Sequence, residues 1–520
     1  MRLDNQLWEE LKRIINLVNT SDIGRMGKLF STEKNNYFYD TGTGKVIELD
    51  DEDYYIFNIW FTEKKINVKN FSNQFEINEK NLYELLTLCI IENLLKAYKP
   101  DKLYTPNHFE NLKYLLDNCL EQLILEVTGK CNLRCKYCIY NDTYVHNREF
   151  NKEDMTFETA KKAVDYFFAH GKDKISITFY GGEPLIRYEL LKKVIDYSIK
   201  INESYKKEIS FGFTTNMTLM TEEMAQYFAN IPKLNIMGSL DGPNEIQNEY
   251  RKKVDGTGSF IDAFNGLKIL CEAYKKKGKK SLSLNVVYAP PYTYEKLDEI
   301  NSFFKGLDFL PEDTNINISY PTSGSVDNRH WINRLKSNPK YHRSTIDQID
   351  PLGNWQRNKV IEGAAIENKH SIETSGMGLS LLRINDRYIN DEPTGQYPLN
   401  GCCVPGSRRL YVNTNGEFLP CERIGTCPSI GNVDIGISYE RVKKYYVDDY
   451  CEKSLKKCST CWAIRLCSMC YAGRYNEEGF ENNTDCAGTR REIEKNLVLY
   501  HFLLESYADK LDYLKDTSLI

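Results

Sequence analysis

Val127-Thr128-Gly129-Lys130-Cys131-Asn132-Leu133-Arg134-Cys135-Lys136-Tyr137-Cys138 ends the first of six strand-like segments and sets three cysteines immediately after it. The pattern predicts that strand over Leu123 to Thr128, with others over Lys174 to Tyr180, Glu208 to Asn216, Lys233 to Leu240, Ser281 to Tyr288 and Asn315 to Tyr320. Helical stretches lie between them. In Thr156 to His170, Ala160, Ala163, Val164, Phe167 and Phe168 fall on one face, and Ser259 to Lys277 reads the same way. Strand-helix units in series predict a mostly parallel sheet curved into a barrel or part of one, with chemistry at the C-terminal strand ends.

The rest of the composition is ordinary. The 520 residues are 41% hydrophobic and 27% charged, which excludes disorder or a fibre for the bulk of the chain. A net charge of −5 gives no electrostatic footing for a nucleic-acid partner. The longest apolar run, Leu85 to Ile91, is far short of the roughly 20 residues that span a bilayer, so neither a membrane nor export is expected and the cytoplasm is the expected compartment. Against this background stand 16 cysteines, ten of them between Cys402 and Cys486. In a reducing compartment, cysteines grouped at short spacings point to metal rather than to disulfides. Cys89, Cys119 and Cys271 lie on apolar helical faces and read as packed thiols.

Three thiolates on one tight loop hold three irons of a 4Fe-4S cube and leave the fourth iron without a protein ligand. The CxxxCxxC spacing alone also admits a three-thiolate zinc site or reduced structural cysteines. With the aromatic Tyr137 before its last cysteine, the segment resembles the signature of the radical S-adenosylmethionine (SAM) enzymes. That resemblance implies a 4Fe-4S cluster on Cys131, Cys135 and Cys138 that binds SAM and cleaves it reductively to a 5′-deoxyadenosyl radical. Further segments resemble the family. Gly181-Gly182-Glu183-Pro184 after the second strand resembles its GGEP motif, in which glycines let backbone approach SAM. Asn216 and Ser239, at the third and fourth strand ends, stand where the family presents polar groups to the ribose or the methionine carboxylate. Arg251 resembles an arginine suited to pairing with that carboxylate. Many relatives carry a histidine where this chain has Gln247, and no role is carried to it.

The C-terminal cysteines are ordered. Cys403 is followed by Gly416-Glu417-Phe418-Leu419-Pro420-Cys421, then by Cys458, Cys461, Cys467, Cys470 and Cys486. Leu410 to Cys421 reads as a hairpin turning at Asn415-Gly416. The order resembles the SPASM extension of radical SAM enzymes, although Ser468-Met469 gives two residues where the family usually has three. The resemblance implies two auxiliary 4Fe-4S clusters, one on Cys403, Cys421 and Cys470 with Cys427 as fourth ligand, the other on Cys458, Cys461, Cys467 and Cys486. Cys402 and Cys451 are possible substitutes for Cys403 or Cys427. Paired CxxC knuckles also suit zinc.

In the first hundred residues, Asn36 to Leu49 reads as a hairpin around Gly42-Thr43-Gly44, acids at 50–53 open a helix, and Glu79 to Tyr98 reads as another helix closed by Lys99-Pro100. This layout resembles the small winged-helix-like α+β domain that recognises precursor peptides in maturases of ribosomally made peptides, binding a leader as an added strand. The expected organisation is a recognition unit over 1–105, a partial (β/α)6 core over 106–325, a connector over 326–400, a SPASM-like region over 401–490 and a C-terminal helix over 491–520, reaching Leu514. The implied function is a peptide maturase installing a thioether, as in sactipeptide and ranthipeptide synthases. Its partners would be a precursor peptide and a low-potential donor of flavodoxin or ferredoxin type. Alternatives are carbon-carbon crosslinking, formylglycine formation by an anaerobic sulfatase maturase, and a zinc-stabilised peptide-binding scaffold without catalysis. No residue stands out as a general base.

Overall fold

A computed structural model describes residues 5–20, 26–63, 66, 79–141, 149–279, 281–322, 325–326, 350–368, 370–472, 474–481 and 486–517. The chain begins with α1 (Asn5–Thr20), the antiparallel strands β1 (Gly27–Ser31), β2 (Asn36–Asp40) and β3 (Val46–Leu49), and the helices α2 (Asp51–Glu63) and α3 (Glu79–Ile91). β2 and β3 form the expected hairpin, with Tyr39 opposite Val46. β1 is an additional strand on the far side of β2. Asp50 caps α2 by accepting the Asp53 N–H at 2.7 Å, ahead of a first turn rich in acids. The helix expected to reach Tyr98 instead stops at Ile91. Asn93 and Leu95 take left-handed φ values of 55° and 61°, the Leu94 N–H reaches back to the Cys89 carbonyl, and buried Asp40 accepts the Leu95 N–H at 2.8 Å. These bonds turn the chain under the hairpin before Lys99-Pro100 can end the helix.

The core follows as α4 (Leu112–Asn118), β4 (Leu120–Thr128), α5 (Phe157–His170), β5 (Gly171–Gly181), α6 (Tyr188–Tyr205), β6 (Glu208–Thr215), α7 (Glu222–Asn230), β7 (Leu234–Ser239), α8 (Asn244–Tyr250), α9 (Phe260–Lys276), β8 (Ser281–Val287), α10 (Tyr294–Lys305) and β9 (Asp313–Ser319). β4 to β9 pair in sequence order and in parallel. Thr156, Thr221 and Thr293 cap α5, α7 and α10 with their side chains, fixing where each helix departs. Apolar strand residues such as Leu123, Leu125, Ile177, Phe179, Phe213 and Ile236 pack with Val164, Phe167, Leu191 and Phe228 of the helices.

The cysteine-rich region extends this sheet. β10 (Arg409–Val412) lies parallel to β4, β11 (Glu417–Leu419) turns back through Asn415-Gly416 as expected, and β12 (Gly431–Asn432) and β13 (Gly436–Ile437) complete the order β13-β12-β11-β10-β4-β5-β6-β7-β8-β9. The barrel is therefore open, with β9 at one edge. Within the expected connector, helices span Pro351–Ile361 and Met377–Asn385, while 327–349 lies outside the described residues. The final helix runs Ala487–Ser506 and does not continue to Leu514. It breaks at Tyr507 into the 3-10 segment Ala508–Asp516, which turns Leu511 and Leu514 back onto Leu381, Leu382 and Leu503. No helix among the described residues is long and apolar enough to cross a membrane.

The N-terminal sheet does not stand apart. Phe30, Tyr37 and Tyr39 pack against Ile384, Ala463, Leu466, Ile493 and Leu497. Arg465, between Cys461 and Cys467, donates to the carbonyls of Thr41 and Gly42 in the β2–β3 turn.

Candidate active site and cysteine centres

Cys131, Cys135 and Cys138 lie half-buried on the loop after β4. The exit of β5 fixes the first half of that loop: the Gly182 N–H donates to Thr128 O and the Glu183 N–H to Lys130 O, both at 2.9 Å. A Cβ on Gly181, whose φ is +140°, would lie 2.3 Å from Thr128 O, and one on Gly182 would lie 2.1 Å from Lys130 O. The nearest neighbour of both glycines is thus the cysteine loop itself, so here they let two backbones touch. The second half is held by the chain leaving α8, through Arg134 N–H to Lys252 O at 2.7 Å and Lys136 N–H to Tyr250 O at 2.9 Å.

Glu183 is buried and gathers three donors: Leu185 N–H and the Thr215 hydroxyl on Oε1, and Asn216 N–H on Oε2. Pro184 begins the buried 3-10 turn that follows. The Asn216 side chain donates to Asn132 Oδ1 at 2.9 Å, which joins the third strand end to the cysteine loop. Ser239 is buried at the end of β7 opposite Asn285. Arg251 Nη1 donates to the Tyr137 hydroxyl at 2.8 Å, and that hydroxyl donates to Asp241 Oδ2. Asp241 also accepts the Val287 N–H, and Gln247 accepts the Asp241 N–H, giving Gln247 a structural place in the turn. Arg251 Nε is buried and unpartnered.

The Cys131 thiol is pushed up to about 12 and Cys138 to about 11, chiefly by burial and in part by neighbouring cysteines; at Cys135 burial dominates while Arg251 opposes it. Three buried thiols of this kind become stable thiolates when positive charge sits among them, which is the donor chemistry an iron-sulfur cluster requires.

The C-terminal cysteines form two groups. In the first, burial raises Cys403, with Cys470 adding, and pushes Cys421 to about 12, with Glu422 and Cys403 adding. Cys402 belongs to the same neighbourhood: burial raises it, Tyr450 opposes through a hydrogen bond, and Cys470 and Cys403 add to the rise. Cys427 packs beside Ile124, Tyr411 and Leu419, in the neighbourhood of the Tyr446 hydroxyl, which donates to the Pro428 carbonyl. Cys451 turns its thiol to the Leu103 carbonyl at 3.5 Å. In the second group, Cys458 is pushed up to about 11 by burial and then by Cys467, Cys461 and Cys486. Buried Arg474 donates to Cys486 Sγ at 3.6 Å while its Nε has no partner. Its charge also draws Cys402 and Cys467 down against burial. A buried guanidinium that faces thiols instead of a carboxylate suits an anionic thiolate centre. Among the described residues no three His, Cys, Asp or Glu side chains are grouped closely enough to hold a single metal ion. Cys89 and Cys271 are buried as expected, while Cys119 is half-buried.

The sequence reading did not single out Asn132, His108 (Nε2 3.2 Å from Cys403 O), Asn400, Arg474, Tyr446 or Tyr450. Asn400 carries a local signal, the Asn400-Gly401 dipeptide that marks a turn, and Asn132 lies within the cysteine loop itself; His108 meets its partner Cys403 from a segment distant in sequence.

Residues 125–304 match the family model described as Radical SAM superfamily. An uncharacterized protein of Methanocaldococcus jannaschii is 37% identical over 343 residues, covering 65% of this chain and 99% of its own length. A cysteine-type anaerobic sulfatase-maturating enzyme of Clostridium novyi is 25% identical over 402 residues, 75% of this chain and 98% of its own. The solved structure of polyhistidine-tagged anSMEcpe with bound AdoMet, at 19% identity and a TM-score of 0.51, shares the fold over 76% of this chain and 97% of that one.

Proposed function

Because this chain belongs to the radical SAM superfamily, whose members are enzymes that use SAM and a 4Fe-4S cluster, we propose that it is a peptide maturase that installs a thioether between a cysteine sulfur and a carbon of a ribosomally made precursor. The first cluster is assigned to Cys131, Cys135 and Cys138. Two auxiliary clusters are assigned to Cys403, Cys421, Cys470 and Cys427, and to Cys458, Cys461, Cys467 and Cys486. When bound, SAM and its cluster supply the radical that removes a hydrogen atom from carbon.

The protein's own groups hold that chemistry in place. Glu183 and Asn216 fix the cysteine loop to the strand ends, Gly181 and Gly182 let it seat closely, and buried Arg251 offers a cation beside Tyr137 for a carboxylate.

The observation that carries the peptide reading is the placement of the N-terminal sheet. β3 is an outer strand, paired with β2 alone among the described residues, and the β2–β3 turn is held by Arg465 of the Cys461–Cys467 loop. A peptide added along β3 would run from the recognition unit toward the auxiliary cysteines. A second reading, formylglycine formation, is favoured by the similarity to the Clostridium novyi enzyme.

Anaerobic reconstitution tests the assignment. Roughly twelve irons per chain are expected, and replacing Cys131, Cys135 and Cys138 together by Ala should abolish 5′-deoxyadenosine formation. A cysteine-bearing peptide encoded beside the gene should lose two hydrogens, with fragmentation placing a sulfur-carbon bond. A carbon-carbon bond, or an aldehyde captured by a hydrazine reagent, would establish one of the other readings.

A further inference from the structure

We propose that Asn400 is a positioning residue that donates to Cys458 of the second C-terminal cysteine group and raises the reduction potential of the centre that group holds. The inference rests on reading that group as iron-sulfur ligands.

Asn400 has φ of 51°, a left-handed conformation that Asn adopts more readily than other residues with a side chain. Its place in the fold is fixed next door. The Gly401 N–H donates to Met469 O at 2.8 Å, and a Cβ on Gly401 would lie 2.5 Å from Ser468 O. The turn carrying Asn400 is therefore seated on the short Ser468-Met469 link between Cys467 and Cys470, the place where this chain departs from the usual spacing.

From that seat the carboxamide reaches the second group. Asn400 Nδ2 lies 4.0 Å from Cys458 Sγ and also donates to the Tyr450 hydroxyl oxygen at 2.6 Å. Asn400 Oδ1 is buried with no partner, so the side chain is oriented by its donors alone. Hydrogen bonds to ligand sulfurs stabilise the more negative, reduced state of a cluster and raise its potential. Asn400 thus acts on the Cys458 centre directly, with Tyr450 holding the amide in place.

The test uses the full chain with Cys131, Cys135 and Cys138 replaced by Ala, so that the C-terminal centres alone give signal, reconstituted anaerobically and titrated under EPR. Asn400→Gly keeps the backbone conformation and removes both donors; the midpoint of one component should move downward with iron content unchanged. Asn400→Asp keeps the shape but substitutes a charged acceptor for the donor, and should move that component further down. Tyr450→Phe removes the acceptor that orients the amide and should move the same component part of the way. Parent-like midpoints in Asn400→Gly and Asn400→Asp at full iron content would overturn the inference. A parent that binds no iron would overturn the cluster reading on which it rests.

Discussion

The carboxylate of Glu183 accepts the backbone N–H of Asn216 at 2.7 Å, so the exit of β5 is fixed to the exit of β6. Asn216 in turn bonds Asn132 inside the cysteine loop. Glu183→Ala leaves buried donors of Leu185, Thr215 and Asn216 without an acceptor and should cost about 3 kcal/mol in denaturation of the apo protein. Glu183→Gln can keep the Leu185 and Thr215 bonds on its one oxygen but turns an NH2 toward the Asn216 N–H, and should cost about 1.5 kcal/mol. SAM affinity should fall several-fold in the alanine variant and less in the glutamine variant. Parent-like affinity in both would show that Glu183 does not hold the loop in its binding geometry.

Gly182→Ala tests the backbone contact on which the loop rests. Its Cβ would sit 2.1 Å from Lys130 O, and a carbonyl in the main chain cannot retreat as a flexible side chain can. The loop must shift, and the iron of the first centre should be lost, taking the reconstituted content from about twelve to about eight. Gly256→Ala serves as the control. Gly256 has φ +84° but nothing within 4 Å of a built Cβ, so only local strain of about 1 kcal/mol is expected, with full iron.

What the sequence made legible follows from distance along the chain. The three cysteines, the Gly-Gly-Glu-Pro turn and the alternation of strand and helix are local patterns, and each maps directly onto β4, β5 and the loops after them. The pairing of β10 with β4 has no such signature, because residues such as Arg409 and Gln122 meet across 287 positions. The same holds for the segment after α8 that fixes Arg134 and Lys136, and for Arg474 facing Cys486. Local pattern also misjudged one end. Apolar periodicity carries α3 onward to Leu94 and Leu95, but tertiary bonds from Asp40 end it at Ile91. The motif shows that backbone comes close at the two glycines; that the chain around Thr128 and Lys130 is among what they approach emerges only from the fold.

Arg465 connects the N-terminal turn to the loop between Cys461 and Cys467 with bonds of 3.1 Å to Thr41 O and 2.6 Å to Gly42 O. Arg465→Ala should weaken docking of the N-terminal unit by about 2 kcal/mol. Limited proteolysis should then cut within residues 26–49 several-fold faster than in the parent, with the core fragment unchanged. Unchanged cleavage would mean that the remaining contacts, the apolar packing of Phe30, Tyr37 and Tyr39 and the bonds of Thr32 and Tyr37 to Glu505 among them, hold the unit without Arg465.

The same docking surface carries a pH dependence through His501. Its ring is buried 5.2 Å from the Phe30 ring and 4.8 Å from the Tyr37 ring, and Nδ1–H donates to Leu497 O at 2.8 Å. Burial holds its pKa below the ordinary 6.5; the Leu497 carbonyl opposes this, Arg387 adds to it, and Glu505 opposes it. Those are the charged groups that face it, and Glu505 is engaged by the Tyr37 and Thr32 hydroxyls. Tyr37 itself, pushed up to about 12 chiefly by burial, stays neutral throughout the range. Because the folded value is the lower one, the unfolded chain binds the proton first as pH falls. The contribution of neutral His501 is therefore fully present above 6.5 and is lost as pH falls from there through the folded value. His501→Phe keeps an aromatic ring and removes the titration. Between about pH 7.5 and about pH 5.5, the Tm of the parent should drop more steeply than that of the variant, with the added loss appearing as faster cleavage of the N-terminal unit. Parallel Tm curves would show that protonation of His501 does not control the docking.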